Sequence, residues 1–369
     1  MASFIHNITT AVPGHAYRQD FLRDKMKEYI SGDRATRRII HRIYSQSGID
    51  KRHTIVNDFN ANGDARFYFR KDGTLNVPTT EDRNKLYTRY AKKLFVEVGR
   101  SLLADHPTLN AEDITHVITV SCTGFFAPGP DYEIVNQLGL APSTQRFHLG
   151  FMGCYAAFPA LKMAESFCTS DKNAVVMVIC LELCSLHFQN SERTDNLISA
   201  SVFADGAAGA LVSSRAPESG KTVIQLDRFA TSIAKHSEQD MAWTIGDTGF
   251  DMILSSYVPE IIESNLRSSI QPLLESYDIG VPQIRHWAIH PGGRAILDKV
   301  EKNLELKSEQ LASSRAVLAE YGNMSSATIL FVLKHLAEQP TADESEQILA
   351  MAFGPGLTIE SGLFAKRQV

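Results

Sequence analysis

Residues 113–122 read DITHVITVSC, and residues 283–290 read QIRHWAIH. Each sets Ile-x-His ahead of an apolar run that ends at a polar, Gly-containing turn, and the two lie about 170 residues apart. A second echo follows the first, with AVVMVICLEL at 174–183 matched by QILAMAF at 347–353. Such near-continuous apolar runs belong to strands buried on both faces, in the middle of a layered α/β structure. Helical patterns lie between them. Leu86, Tyr90, Leu94, Val98 and Leu102 recur every fourth residue, and Ile296, Val300 and Asn303 follow the second His-bearing strand less regularly. Two similar halves of alternating strand and helix predict an α/β fold of five layers, αβαβα. The stretch SSRAPESGK at 213–221 marks the join and divides the chain into halves 1–215 and 222–369. No flexible linker or low-complexity tract separates the halves, so they are expected to pack as one unit.

Composition narrows the function classes. The chain has 369 residues, 44% hydrophobic and 21% charged, which is ordinary globular usage with ample material for a large core. Its longest apolar run, Ala174 to Leu181, is eight residues long, strand length rather than the roughly twenty of a membrane span. No charged-then-apolar segment at the N-terminus suggests export. Five cysteines, an odd number, fit free thiols in a reducing compartment better than a disulfide framework. Together these features predict a soluble cytoplasmic protein. A net charge of −5 argues against a general nucleic-acid surface, though it leaves room for a local basic mouth.

Three segments far apart each present one chemically capable residue beside glycines: Cys154 in LGFMGCYAAF, His290 in HWAIHPGGRAILD and Asn323 in EYGNMSSATILF. Each has a bland reading. Buried free cysteines are usually structural, a His before Pro-Gly-Gly can serve a turn, and Asn after Gly is most often a turn or cap residue. Position favours more for Cys154, which follows a strand-like run at 146–149 and opens a helix-like segment at 155–168. A helix N-terminus lowers a thiol pKa. A thiolate can carry an acyl group as a thioester, an imidazole can hold that thiolate ionised, and an Asn amide adds a second donor beside the imidazole. Nucleophile, base and amide donor together are the equipment of a carbon–carbon condensing enzyme.

The ordered set of Gly-Cys154 with its small-residue helix, FADGAAGALV at 203–212, IHPGGRAILDKVE at 289–301, EYGNMSSATILFVL at 320–333 and AFGPGLTIESGLF at 352–364 resembles the type III polyketide synthases, the chalcone synthase-like family, from about residue 40 to the end. The resemblance implies the thiolase-like fold and a homodimer. It also implies that Cys154 carries the acyl chain while His290 and Asn323 bind the thioester carbonyl and promote decarboxylation of malonyl-CoA. Phe203 and Phe250 fall where the family has two gatekeeper phenylalanines between a CoA tunnel and the cavity. By the same likeness Cys122, Cys184, His187, Met241, Ser325 and the loop Gly354, Pro355 and Gly356 border the substrate. Ala127 falls in a loop that reaches the partner's cavity, with Ala127–Pro128 a candidate cis peptide. No cofactor is implied beyond the CoA thioesters themselves.

The basic segment RATRRIIHRIYSQSGIDKR at 34–52 has two readings. A charge run on a helix is usually a solvated face. The resemblance favours a CoA role for Arg42, whose guanidinium can pair with phosphate as a fork. Plant members of the family carry a Lys where this chain has Gln46, which leaves Arg38 and Lys51 as substitutes. Other clusters carry less. Cys180 with Cys184, and His286 with His290, stand four residues apart, roughly 13 Å along a strand and too far for one metal ion. Gly206 in ADGAAGA lacks the spacing of a dinucleotide loop. Neither a metal nor a nucleotide cofactor is assigned.

Substrate choice is less legible. Cys122 resembles bacterial members that build small aromatic rings from malonyl units. The small Ala127 implies a larger cavity, and the bulky His187 and Met241 a smaller one. The expected function is extension of an acyl-CoA starter with malonyl-CoA and cyclisation to a pyrone, resorcinol or related aromatic. Alternatives are a malonyl-only synthase of tetrahydroxynaphthalene or phloroglucinol type, the β-ketoacyl synthase III of fatty-acid synthesis, and, remotely, a non-catalytic scaffold.

Overall fold

The apolar repeat at 86–102 falls within the longest helix of a computed structural model that describes residues 2–30, 33–59 and 66–369. In chain order the first half contains β1 (Ser3–Ala11), β2 (His15–Arg18), α1 (Gln19–Tyr29), α2 (Arg34–Ser45), β3 (Lys51–Thr54), α3 (Thr80–Ala104), β4 (His116–Ser121), α4 (Pro130–Leu138), β5 (Gln145–Gly150), α5 (Ala157–Ser170), β6 (Val175–Leu183), α6 (Thr194–Val202) and β7 (Asp205–Ser213). The second contains β8 (Thr222–Ile233), β9 (Met241–Gly246), β10 (Gly249–Leu254), α7 (Val258–Glu275), β11 (His286–Ile289), α8 (Arg294–Leu304), α9 (Ala312–Tyr321), α10 (Thr328–Ala337), β12 (Ser345–Gly354) and β13 (Thr358–Gln368). The polar stretch at the join lies between β7 and β8.

The strand order β11-β12-β13-β8-β1-β7-β6-β4-β5 makes the duplication visible. From the central antiparallel pair β1 and β8, the order β7-β6-β4 on one side answers β13-β12-β11 on the other. The echoed strands are therefore equivalent: β4 runs parallel to β6, and β11 runs parallel to β12.

Alternation of side chains across these strands builds the layers. Val117, Met177 and Ile179 face α3, joining Leu94, Val98 and Leu102 in one buried cluster. Their neighbours Ile118, Val176 and Val178 face the other way and pack with Leu161 and Ala164 of α5 and with Leu330 and Leu333 of α10. That cluster also takes Ile348 and Ala350 of β12, while Leu349 and Met351 turn to Ile262 of α7 and Leu297 of α8. The resulting layers are α3, sheet, α5 with α10, sheet, and α7 with α8, the thiolase-like five-layer arrangement. Pro159, the third residue of α5, sits in the first turn, where it removes no intrahelical hydrogen bond.

Candidate active site

Cys154 stands in the turn that follows β5, where Phe151 and Gly153 adopt φ values of 61° and 81°. Gly153 is also required sterically, because a Cβ there would meet Cδ of Pro355 at 2.5 Å. In return, a Cβ on Gly354 would meet the Tyr155 ring at 2.5 Å. The Gly-Cys loop of one half and the Gly-Pro-Gly loop of the other interlock through these glycines, which places Cys154 at the seam. Pro355 forms part of the cavity wall, and Gly354 and Gly356 shape the loop behind it.

His290 follows β11 and donates its backbone N–H to Met351 O at 2.8 Å. Asn323 is held by both its backbone and its side chain. Its N–H donates to Val202 O and its C=O accepts from Ala204 N–H, both at 2.8 Å, so that Phe203 is bridged to it. Its Oδ1 accepts the N–H of Ser325 at 2.8 Å, and its Nδ2 points to Gly292 O at 3.3 Å. The carboxamide oxygen is thus occupied, which turns the donor side toward His290's segment.

Cys154, His290, Asn323, Ser325, Phe203 and Cys122 line one cavity of about 270 Å³, together with Met241 and Phe353. His290 is 1% exposed, and neither of its ring nitrogens has a hydrogen-bond partner among the described residues. Burial drives its pKa down to about 3. Burial likewise pushes the Cys154 thiol up to about 11, against the pull of hydrogen bonds from Ser325 and Asn323. The helix N-terminus does not lower the thiol pKa as expected: α5 begins only at Ala157, and burial prevails for the thiol taken alone. Taken singly, thiol and imidazole are both held neutral.

A second cavity of about 140 Å³ shares Cys122, Phe203, Trp243, Met252 and Ser325 with the first. It continues past Cys184 and His187 to Met26, Tyr68 and Phe69. His187 is fixed on both edges: its Nε2 lies 2.8 Å from Thr123 O, and its Nδ1 accepts the N–H of Phe250 at 3.0 Å. That pattern defines a neutral imidazole, and burial lowers its pKa to about 3. Trp243 donates its indole N–H to Cys122 O at 2.8 Å and stands edge-on to both His187 and Phe250. Phe250 lies behind these two rings and lines neither cavity, so the wall expected of a gatekeeper there belongs to Trp243 and Met252. Ala127 is exposed beside a cis Ala127–Pro128 bond and borders neither cavity of its own chain.

Glu182, the penultimate residue of β6, is fully buried behind Cys122. It accepts from Ser326 Oγ at 2.5 Å, and from the N–H of Cys122 and Oγ1 of Thr123 at 2.9 Å each. Burial raises its pKa despite these donors, and the same burial raises the Cys122 thiol.

The basic segment divides. Arg34, Arg37, Arg38 and Arg42 lie on the exposed face of α2, and Nε of Arg42 reaches Oε1 of Gln46 at 3.4 Å on the rim of the first cavity. Lys51 is engaged with Glu320 at 2.5 Å. Arg52 is buried and donates to Phe203 O at 2.6 Å and to Gln19 Oε1 at 3.0 Å. It is a brace for the Phe203 segment and not part of the solvated face. Among the described residues no group of three or more His, Cys, Asp and Glu is placed to hold a metal ion, and no helix is long and apolar enough to cross a membrane.

Comparison with known proteins gives the chain its family. Residues 2–216 match the family model described as chalcone and stilbene synthases, N-terminal domain, and residues 225–366 match the C-terminal domain. The likeness therefore begins far earlier than the expected residue 40. The chain is 31% identical to the alpha-pyrone synthesis polyketide synthase-like Pks18 of Mycobacterium tuberculosis over 367 residues, 98% of this chain and 90% of that one. Its fold matches PKS-I from the brown alga Ectocarpus siliculosus with a TM-score of 0.89 and 30% identity, covering 100% of this chain and 98% of the other. The 1,3,6,8-tetrahydroxynaphthalene synthase of Streptomyces coelicolor A3(2), a bacterial type III polyketide synthase, matches with a TM-score of 0.86 and 28% identity over 100% of both chains.

Proposed function

The chain belongs to the chalcone and stilbene synthase family, the type III polyketide synthases, and we propose that it extends an aliphatic acyl-CoA starter with malonyl-CoA and closes the product to a pyrone or resorcinol. It is an acyltransferase. In this reading the halves 1–215 and 222–369 divide the chemistry, the first carrying Cys154 and the second His290 and Asn323. The starter's acyl group passes from CoA to Sγ of Cys154. A malonyl thioester then sits with its carbonyl oxygen between His290 and Nδ2 of Asn323, and loss of CO₂ leaves an enolate whose negative oxygen those donors hold. The enolate carbon attacks the Cys154 thioester, the C–S bond breaks, and the thiolate leaves with the chain now two carbons longer on CoA.

Acylation needs the thiol proton to go elsewhere. Charging Cys154 or His290 alone in this buried site is costly. Moving the proton from Sγ to the imidazole creates both charges at once, and their attraction in a low-dielectric cavity offsets the separate costs. The observation that carries the proposal is that His290, buried and with no ring partner among the described residues, shares one cavity with Cys154 and Asn323.

The second cavity supports an aliphatic starter, since Met26, Phe59 and Phe69 give it an apolar far end that a polyketone chain does not match. The alpha-pyrone synthesis named for the Mycobacterium relative points the same way. The second reading, a malonyl-only synthase, is favoured by Cys122 on the floor and by the likeness to tetrahydroxynaphthalene synthase. The enzyme is proposed to work as a cytoplasmic homodimer, with the exposed Ala127 loop reaching the partner's cavity, and to need no cofactor beyond its CoA thioesters. Mass spectrometry of products from malonyl-CoA alone, and with acyl-CoA starters from butanoyl to palmitoyl, tests it. Starter-dependent pyrones or resorcinols are expected; equal product without any starter favours the second reading.

A further inference from the structure

We propose that Arg294 is the phosphate-binding cation at the mouth of the catalytic cavity, supplying the charge that Gln46 lacks. The inference rests on the reading of this cavity as the site of a CoA thioester. Among the described residues lining it, Arg294 is the one with a permanent charge, and no carboxylate lines it. It opens α8, four residues after His290, and the same short segment, with Gly292 and Gly293 between, therefore forms both the thioester end and the mouth. The same cavity is lined by Gln46 and Ser47 at the end of α2 and by Ser255 and Ser256 ahead of α7.

The stem of Arg294 is placed by contact. Gly48, at φ 75°, lies under it: a Cβ there would meet Cβ of Arg294 at 3.3 Å and Cγ and Cδ at 3.6 Å. The guanidinium is held loosely. Its partner is Asp298 at 3.4 Å, with the two side chains 55% and 47% exposed, and exposed pairs of this kind bind weakly. Asp298 also takes Arg315 at 2.9 Å, so moving Arg294 to a phosphate leaves no carboxylate unpaired. A guanidinium meets a phosphate through two parallel N–H donors, a stronger contact than it gives up. Arg42, beyond Gln46 on the same rim, provides a second fork, whereas Lys51 is committed to Glu320.

The test compares thioesters with and without phosphates. The kcat/KM of malonyl-CoA decarboxylation is divided by that of malonyl-N-acetylcysteamine, which lacks the nucleotide, and calorimetry measures the Kd of CoA itself. Arg294→Ala is expected to lower the ratio about tenfold or more, chiefly through KM, and to weaken CoA binding to a similar degree, with Arg294→Lys recovering part of both. An unchanged ratio with unchanged CoA affinity would overturn the role of Arg294 and leave the polyketide reading standing. A chain whose wild type neither binds CoA nor decarboxylates malonyl-CoA would overturn both.

Discussion

The imidazole of His187 lies flat on the ring of Phe250, centroids 4.1 Å apart and planes 12° from parallel, while both its nitrogens are bonded to backbone, at Thr123 and at Phe250 itself. One side chain thus ties the loop beneath the cavities to β10. Arg83, buried and donating to Leu186 O and Phe188 O at 2.8 Å each, fixes the segment that presents it. Such a neutral, fully bonded histidine leaves a signature in stability.

The His187 pKa is about 3 in the folded chain and about 6.5 unfolded, so its contribution is complete above pH 6.5 and is lost as pH falls from there towards 3. His187→Gln is expected to be less stable than wild type at pH 7, with the gap shrinking below pH 6.5 by at most about 1.4 kcal/mol per pH unit. Denaturant titrations of both proteins at several pH values check this. A gap that stays constant down to pH 5 would mean that the ring is not held neutral.

Trp243 is expected to partition the two cavities. Replacing it with Ala joins them, and the preferred starter should lengthen by several carbons; Trp243→Phe, which keeps most of the bulk, should change it little. Product profiling with graded acyl-CoA starters reads this directly. An unchanged preference in Trp243→Ala would separate the second cavity from substrate choice.

His290 and Asn323 are proposed to hold one oxygen. Removing either should cost on the order of 3 kcal/mol of transition-state stabilisation in malonyl-CoA decarboxylation, roughly a hundredfold in rate, and the double variant should fall well short of the product of the two losses. Strict multiplication of the single effects would assign the residues to separate steps.

Proton transfer within the pair makes a separate forecast. In His290→Ala the thiol keeps its burial and the Ser325 and Asn323 hydrogen bonds but has no base, so alkylation of Cys154 by iodoacetamide should rise only as pH approaches about 11. The wild-type profile should rise at distinctly lower pH, near neutrality. Coincident profiles would remove His290 from thiol activation.

The architecture was legible because the strands of the two halves repeat their apolar runs: β4 and β11 carry the same Ile-x-His lead, and their places in the sheet are equivalent. The cavity residues Cys154, His290 and Asn323 were legible because each sits where glycine is needed beside it, as Gly153 shows. Residues whose roles come from packing across the chain were not. Trp243 lies in a short strand, MAWTIG, with no motif around it, and its importance comes from the distant Cys122 carbonyl. Glu182 is one letter in an apolar run, and only the converging Ser326, Cys122 and Thr123 donors mark it. The sequence around Gln46 points to cations close by in the chain, yet the cavity's own cation, Arg294, comes from the other half and Arg52, nearby in sequence, turns inward. The motif around Phe250 does not show that the bulk of His187 and Trp243 stands in front of it.

Cys154 is proposed to carry the growing chain. Intact-protein mass spectrometry after incubation with an acyl-CoA starter, followed by peptide mapping, decides this. The wild type should gain one acyl group on the peptide containing Cys154, and Cys154→Ala should gain none and form no polyketide while still decarboxylating malonyl-CoA. Acylation that persists in Cys154→Ala, with normal product yield, would show that another residue carries the chain.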